Sequence, residues 1–323
     1  MGYVLGVDAG GTKILIGKVS RDGVIRDERR YPSRRGTQEI ATSAVVEAVL
    51  DYCGTLAPDD RPEGMGLGLV GQVDPVRGMW VHSLGTPITT PYPICELLGE
   101  RTGLACYADN DVHCATLAEM RYGVGREERD FVYLNLGTGT SAGLVSEGRL
   151  IRGARNRAGE VGHMSCPLGE PIRCGCGRDN CVEWFASGGG MLRFARQQFA
   201  QYPDSELVAL DRSGELFSKT IFESADRGDP LGRVVADMVL GGTVSMFQDI
   251  INVMDPAAIV VGGGVLSGGW LLPRVIDQVS AWLPPSCRDL AGRIFPSALD
   301  PQKVGLLGAA ACAFLRIGEP RSE

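Results

Sequence analysis

Six groups of residues in this chain combine side-chain type and spacing in ways suited to chemistry. The first is Asp8-Ala9-Gly10-Gly11-Thr12-Lys13, directly after the apolar run Tyr3-Val4-Leu5-Gly6-Val7. Adjacent glycines let backbone N–H groups converge on an anion with no Cβ in the way. Thr12 and Lys13 add a hydroxyl and an ammonium for phosphate, and Asp8 at the strand end could hold Mg2+ directly or through water. A plain hairpin turn would use the same residues, and the Walker spacing is absent, so an ordinary P-loop is not implied. Gly137-Thr138-Gly139-Thr140 repeats the pattern after a second apolar run, Phe131 to Leu136. A nucleoside triphosphate held between two domains needs donors from both. Gly262-Gly263-Gly264 follows the apolar Ile259-Val260-Val261. Its bare backbone could lie flat against an adenosine, or simply turn a strand into a helix.

Phosphoryl transfer to an alcohol requires a carboxylate that accepts the hydroxyl proton. Asn110-Asp111 at a strand-to-helix junction offers one, although an Asp there more commonly caps the helix, and the two roles are compatible. His163 with Cys174, Cys176 and Cys181 has the composition of a closed, structural Cys3His zinc site. Buried free thiols are the alternative, and Cys166 is a competing ligand. Glu160 and Glu183 flank that loop. Carboxylates fixed there could each accept hydrogen bonds from sugar hydroxyls, or could be ordinary solvated surface groups.

The elements that must position these groups read as alternating strands and helices. Val4 to Val7 and Ile14 to Val19 flank the first turn as a β-hairpin, with a third strand over Val24 to Tyr31. Ile40, Ala44, Val45, Ala48 and Val49 have helical spacing. Met65 to Val70 and Leu104 to Tyr107 read as strands, and Val112 to Tyr122 as a helix. The strand–turn–strand unit then recurs at Phe131 to Val145, which suggests two homologous α/β domains facing a shared cleft. Arg152 to Cys181 is irregular. Leu231 to Ile251 traces one helix face, with Gly241-Gly242 marking close packing or a kink. Ala258 to Val261 is a buried strand, and Trp270 to Trp282 and Val304 to Leu315 are helices.

Composition removes several function classes. The chain has 323 residues, a net charge of −7 and 45 glycines. That acidic balance argues against a nucleic-acid surface. No signal peptide is legible, because Asp8 and Lys13 interrupt the opening apolar run. No stretch approaches the ~18 apolar residues of a membrane span. The uncharged run Gly78 to Cys95, broken by three prolines, reads as a loop. The expectation is a cytoplasmic protein whose ten cysteines are thiols or metal ligands.

Together these segments resemble the ROK family (repressor, open reading frame, kinase), nearly from end to end. The resemblance is most specific in Gly159-Glu160-Val161-Gly162-His163 and in Cys174-Gly175-Cys176-Gly177-Arg178-Asp179-Asn180-Cys181-Val182-Glu183. It implies an actin-like (hexokinase/RNase H-like) two-domain α/β fold with a central cleft. The small domain would be residues 1–111 plus the final helix 303–317, and the large domain residues 112–302 with the zinc loop 163–181. It implies an ATP- and Mg2+-dependent kinase, glucokinase-like, that phosphorylates a hydroxyl of a hexose, most often the 6-OH. Asp111 would be the base, with Gly71, Asn110, Glu160, His163 and Glu183 at the sugar. Asp8, Gly10 to Lys13, Gly137 to Gly139 and Gly262 to Gly264 would hold the nucleotide. His163, Cys174, Cys176 and Cys181 would hold structural Zn2+, and the assembly would be a homo-oligomer, dimer or tetramer.

The chain departs from the family pattern around the sugar. Val70-Gly71 stands where Pro-Gly is usual, and Trp80 to Pro87 lacks the usual Asn. Val112 and His113 follow the base where a small residue and Asn are common, and Thr140-Ser141-Ala142 replaces glycines. An amino sugar, an N-acyl amino sugar or a cyclitol would fit an altered pocket. A sugar-responsive repressor is disfavoured, because the first turn begins at residue 8 and leaves no room for a helix-turn-helix. A silent sugar sensor is disfavoured by Asp8, Lys13 and Asp111. A Rossmann dehydrogenase is disfavoured by the missing G-x-G-x-x-G.

Overall fold

The computed structural model describes residues 2–34, 36–83, 88–166 and 171–318. The chain opens as a meander of β1 (Tyr3–Ala9), β2 (Lys13–Ser20) and β3 (Ile25–Pro32). There follow α1 (Gln38–Gly54), β4 (Met65–Leu69), β5 (Gln72–Asp74), β6 (Met79–His82), α2 (Ile94–Thr102), β7 (Cys106–Asn110) and α3 (Asp111–Tyr122). A second meander comprises β8 (Phe131–Leu136), β9 (Thr140–Ser146) and β10 (Arg149–Ile151). The remainder is mostly helical: α4 (Glu183–Ala186), α5 (Gly188–Gln198), α6 (Glu206–Ser213), α7 (Ser218–Arg227) and α8 (Pro230–Met254), then β11 (Ala258–Gly262), α9 (Leu271–Trp282), β12 (Ile294–Pro296) and α10 (Val304–Ile317).

Two compact units result. One comprises Met1–Arg129, Val145–Ala158 and Ala298–Glu323, and the other Asp130–Leu144 and Gly159–Ser297. Helix α3, which begins at Asp111, lies in the first. The strand order β3-β2-β1-β4-β7 of one sheet matches the order β10-β9-β8-β11-β12 of the other. In the first sheet β1 pairs antiparallel with β2 and parallel with β4, and β4 pairs parallel with β7. In the second, β11 runs parallel to both β8 and β12.

The first sheet shows why its residues alternate as they do. Leu5, Val7, Ile14, Ile16, Met65, Leu67 and Leu69 point to one face and pack with α1 and α2. Val4, Leu15 and Val19 point to the other, against α10. On that second face Gly66 lets the helix lie on bare backbone, since a Cβ there would sit 1.8 Å from the carbonyl oxygen of Ala309. This period of two is what a sheet covered on both sides requires.

In the second unit α8 is a continuous helix capped by Asp229, whose Oδ1 accepts the Gly232 N–H at 2.7 Å. The Gly241-Gly242 pair marks close packing, because a Cβ on Gly242 would lie 2.3 Å from the Cβ of Phe185. Among the described residues α8 alone has the length and hydropathy of a membrane-crossing helix, with a mean hydropathy of 1.4 over its most apolar window. That window is 56% buried, and the helix packs on α4, α5, α7 and α9. The run Gly78 to Cys95 is not wholly loop. Its start forms β6, which pairs with β5, and Trp80 is 2% exposed with its indole N–H donating to the Val70 carbonyl. The prolines that suggested a loop come only after β6. Leu84, Gly85, Thr86 and Pro87 of the segment expected to lack an Asn lie outside the described residues.

Candidate active site

Strand β7 ends at Asn110 and helix α3 begins at Asp111. The helix cap is Asn110, not Asp111: Asn110 Oδ1 accepts the N–H groups of Val112 at 2.9 Å and His113 at 3.1 Å. The Asp111 carboxylate accepts one of those N–H groups, Val112 at 3.1 Å, and the amide of Asn110 at 2.9 Å. Asn110 Nδ2 also donates to the Gly71 carbonyl at 2.8 Å. Gly71 has φ of 94°, and a Cβ there would lie 2.4 Å from the His82 carbonyl oxygen, so a side chain is excluded twice over. Gly71, Asn110 and Asp111 therefore form one contiguous group.

Burial, then the negative charge of Asp8, pushes the Asp111 carboxyl up to about 6, against the opposing pull of the Val112 N–H and His113. Asp8 on β1 is likewise raised to about 6 by burial, with Lys13 opposing. A Cβ on Gly305, in the first turn of α10, would sit 2.5 Å from Asp8 Oδ2, so this glycine leaves the carboxylate its space at a helix N-terminus. The turn through Gly10, Gly11 and Thr12 is closed by the Gly10 N–H donating to the Lys13 carbonyl at 3.0 Å.

Behind Asp111 lies Asp109, 0% exposed. Its Oδ1 accepts His113 Nδ1–H at 3.0 Å and the Asn110 backbone N–H at 2.9 Å. Its Oδ2 accepts Arg152 Nε–H at 2.9 Å and Nη2–H at 2.7 Å. Burial raises this carboxyl, but His113 and Arg152 outweigh it and hold the group below the usual range. Neither Asp109 nor Arg152 stands out by residue type or spacing. Four donors on one buried carboxylate are visible only once the chain is folded.

In the second unit the Gly137-Thr138-Gly139 turn is held by the N-terminus of α5. Gly188 and Gly189 donate their N–H groups to the carbonyls of Gly137 at 2.8 Å and Thr138 at 3.0 Å, and Ser187 caps the helix. Gly263, with φ of 100°, lies so close that an added Cβ would be 2.3 Å from the Leu136 carbonyl and 2.8 Å from the Gly137 nitrogen. The second and third glycine clusters are thus in contact. Gly262 closes β11, while Gly139 turns toward Glu183. Gly137, Thr138, Gly263 and Gly264 open onto a cavity of about 670 Å³, completed by residues such as Phe217 and Lys219. Its size and its mixed apolar and cationic lining suit a nucleoside. Sequence reasoning missed its far wall. Ser187-Gly188-Gly189-Gly190 carried a legible signal, a capping Ser before glycines, but Phe217 and Lys219 carried none.

His163, Cys174, Cys176 and Cys181 bring one ligand atom each within 4.8 Å of one another. His163 Nδ1 lies 3.9 Å from Cys174 Sγ, and Cys176 Sγ lies 3.5 Å from Cys181 Sγ. A tetrahedral ion with bonds of ~2.0–2.3 Å sets its ligand atoms roughly 3.5–3.8 Å apart, so the donor set and spacing fit a metal. Burial would raise the Cys176 thiol, but the Arg178 backbone and side chain, with Cys181 and Cys174, bring it down to about 6, toward the thiolate a metal needs. Cys166 is buried in the same core but is not part of the cluster. The other ring nitrogen of His163, Nε2, is 3.9 Å from Glu160 Oε2. Glu183 opens α4, and its Oε2 accepts the Thr140 N–H at 3.3 Å. Glu160 and His163 are close, and Glu183 reaches the second glycine turn.

Each sheet, a three-stranded meander continued by two parallel strands, belongs to the actin-like, hexokinase-like α/β class. Residues 4–314 match the model of the ROK family, and the chain belongs to that family. It is similar to a glucokinase of Halalkalibacterium halodurans, 29% identical over 310 residues that cover 95% of this chain and 93% of that one. It is also similar to an N-acetylmannosamine kinase of Escherichia coli O157:H7, 30% identical over 311 residues covering 96% and 97%. The crystal structure of a ROK family glucokinase from Streptomyces griseus in complex with glucose and AMPPNP superposes with a TM-score of 0.77 at 29% identity, covering 96% and 98%.

Proposed function

We infer that this protein is an ATP-dependent sugar kinase that phosphorylates a hydroxyl of a hexose, as its glucokinase relatives are named for doing. The observation that carries the assignment is Asp111, raised to about 6, fixed by Asn110 at the N-terminus of α3 and so tuned to accept a proton near neutral pH. The bond between the γ-phosphorus and its bridging oxygen breaks, a bond from that phosphorus to the sugar oxygen forms, the hydroxyl proton passes to Asp111, and ADP leaves. Gly71, Asn110, Glu160, His163 and Glu183 orient the sugar, with the 6-OH as acceptor. Gly262, Gly263 and Gly264 take the adenosine end of ATP, and Gly10, Gly11, Thr12 and Lys13 with Gly137, Thr138 and Gly139 its phosphates. Asp8 is the protein's carboxylate for Mg2+, which neutralises phosphate charge when bound. His163, Cys174, Cys176 and Cys181 hold Zn2+, which ties the irregular stretch that presents Glu160 and Glu183. A homo-oligomer in the cytoplasm completes this reading; ten free thiols suit that compartment.

ADP release measured against glucose, mannose, N-acetylglucosamine, N-acetylmannosamine and a cyclitol tests the assignment. Turnover with a hexose supports it, and release that no sugar stimulates overturns it. An N-acyl amino sugar is the second reading, favoured by the 30% identity to the N-acetylmannosamine kinase and by the altered residues around Gly71 and Asp111.

A further inference from the structure

We propose that Asp109, clamped between His113 and Arg152, is a positioning residue that fixes the base Asp111; the proposal rests on the reading of Asp111 as that base. A buried carboxylate is costly, and an apolar side chain of similar volume would serve a fold as well or better. Asp109 is retained at 0% exposure with every strong acceptor direction used, two donors on each oxygen. One of the four donors is the Asn110 backbone N–H, so the clamp fixes the peptide that joins β7 to the base motif. Asn110 then passes that constraint on through its side chain, which holds both Asp111 Oδ1 and the Gly71 carbonyl. The order of bonds is Arg152 to Asp109, Asp109 to Asn110, Asn110 to Asp111.

His113 closes the clamp from the first turn of α3. Its N–H is capped by Asn110 Oδ1, its Nδ1 meets Asp109, and its Nε2 faces the Ala158 carbonyl at 3.4 Å. Gln72 Nε2 donates to the Arg155 carbonyl at 2.9 Å. The segment Arg152 to Ala158 is therefore tied to the base motif at three places, through Asp109, His113 and Gln72. Arg152 also balances the charge of Asp109, two residues from a base that must itself carry a negative charge. His113 occupies the position where the family pattern has Asn, and Asn at this site is too short to span both Asp109 and Ala158.

The test is steady-state kinetics on the intact chain, with ATP and glucose or whichever panel hexose turns over fastest. Arg152→Ala is expected to lower kcat by ~10–100-fold with the KM for ATP within about twofold, as misplacement of a reacting group costs rate and not nucleotide affinity. Arg152→Lys should recover most of that loss, and His113→Gln gives an independent reading if Arg152→Ala does not fold. Placed in the Asp111→Asn background, Arg152→Ala should lower the residual kcat no further, because no base remains to position. Unchanged kcat in Arg152→Ala and His113→Gln with a lower thermal midpoint would overturn the proposal, as would losses that multiply in the double variant. Full turnover in Asp111→Asn alone is a different failure, and it removes the base assignment itself.

Discussion

Asn110 donates its side-chain amide to Asp111 Oδ1 at 2.9 Å while its own carbonyl oxygen caps the helix that Asp111 begins. One residue thus carries the main cap and at the same time holds its neighbour's carboxylate, the proposed base. Asp111→Asn is expected to lower kcat by roughly 10²–10⁴-fold with the KM for ATP little changed. Steady-state rates of ADP formation check this, and turnover at the parental level would sink the assignment.

Asn110→Ala should act on both tasks. Loss of the cap is expected to cost about 1 kcal/mol in urea unfolding, and loss of the amide on Asp111 should lower kcat by ~10-fold or more. A variant that loses stability but keeps its kcat would show that the amide does not hold the base.

Titration gives a further pair of expectations. Asp111 must be ionised to accept a proton, so kcat/KM should fall as pH drops through about 6. For stability the sign is opposite. Asp8 and Asp111 have folded-state values of about 6, above the ordinary 3.8. The folded protein therefore binds these protons more tightly than the unfolded chain does. The resulting stabilisation is complete below about pH 4 and is lost as pH rises through 6. Asp111→Asn should accordingly stabilise the protein at pH 7 by roughly 1–3 kcal/mol and give no gain near pH 3.5. Urea unfolding at both pH values decides, and equal effects at the two would contradict the burial of Asp111.

One zinc per chain is expected in protein purified reduced. Cys176→Ser or chelation should remove it and lower the thermal midpoint by several degrees. Elemental analysis that finds no metal while all ten thiols titrate would remove the Cys3His assignment.

Two neighbouring glycines make a matched control. Gly263→Ala forces a Cβ to within 2.3 Å of the Leu136 carbonyl at φ of 100°, and should cost about 1–3 kcal/mol and raise the KM for ATP. Gly264→Ala meets nothing within 4 Å and should change stability by less than ~0.5 kcal/mol. Equal losses in the two would show that the contact with the second glycine turn is not what fixes Gly263.

Much of this molecule is legible in its sequence where local rules act alone. The hairpins around Gly10 and Gly137, the long helix through Gly242 and the metal-ligand spacing are local patterns, and each lies where those patterns put it. The run after Gly78 misled because its prolines outweighed the alternation at Met79 to His82, which only pairing with Gln72 to Asp74 turns into a strand. The capping role fell to Asn110 because a one-residue difference in where β7 stops is set by sheet register with β4, where Leu69 pairs with Asn110. Asp109 and Arg152 meet, and Phe217 and Gly137 come to line one cavity, only through tertiary packing across long separations, and no window of sequence encodes such pairs.

The seating of α10 on the bare backbone at Gly66 carries a consequence for how the protein is made. The strands of the first sheet leave the ribosome early, but α10, which covers much of one of their faces, is translated long after them. Until then Val4, Leu15 and Val19 line an apolar surface that lacks its main cover on the nascent polypeptide, open to chaperones and to wrong partners alike.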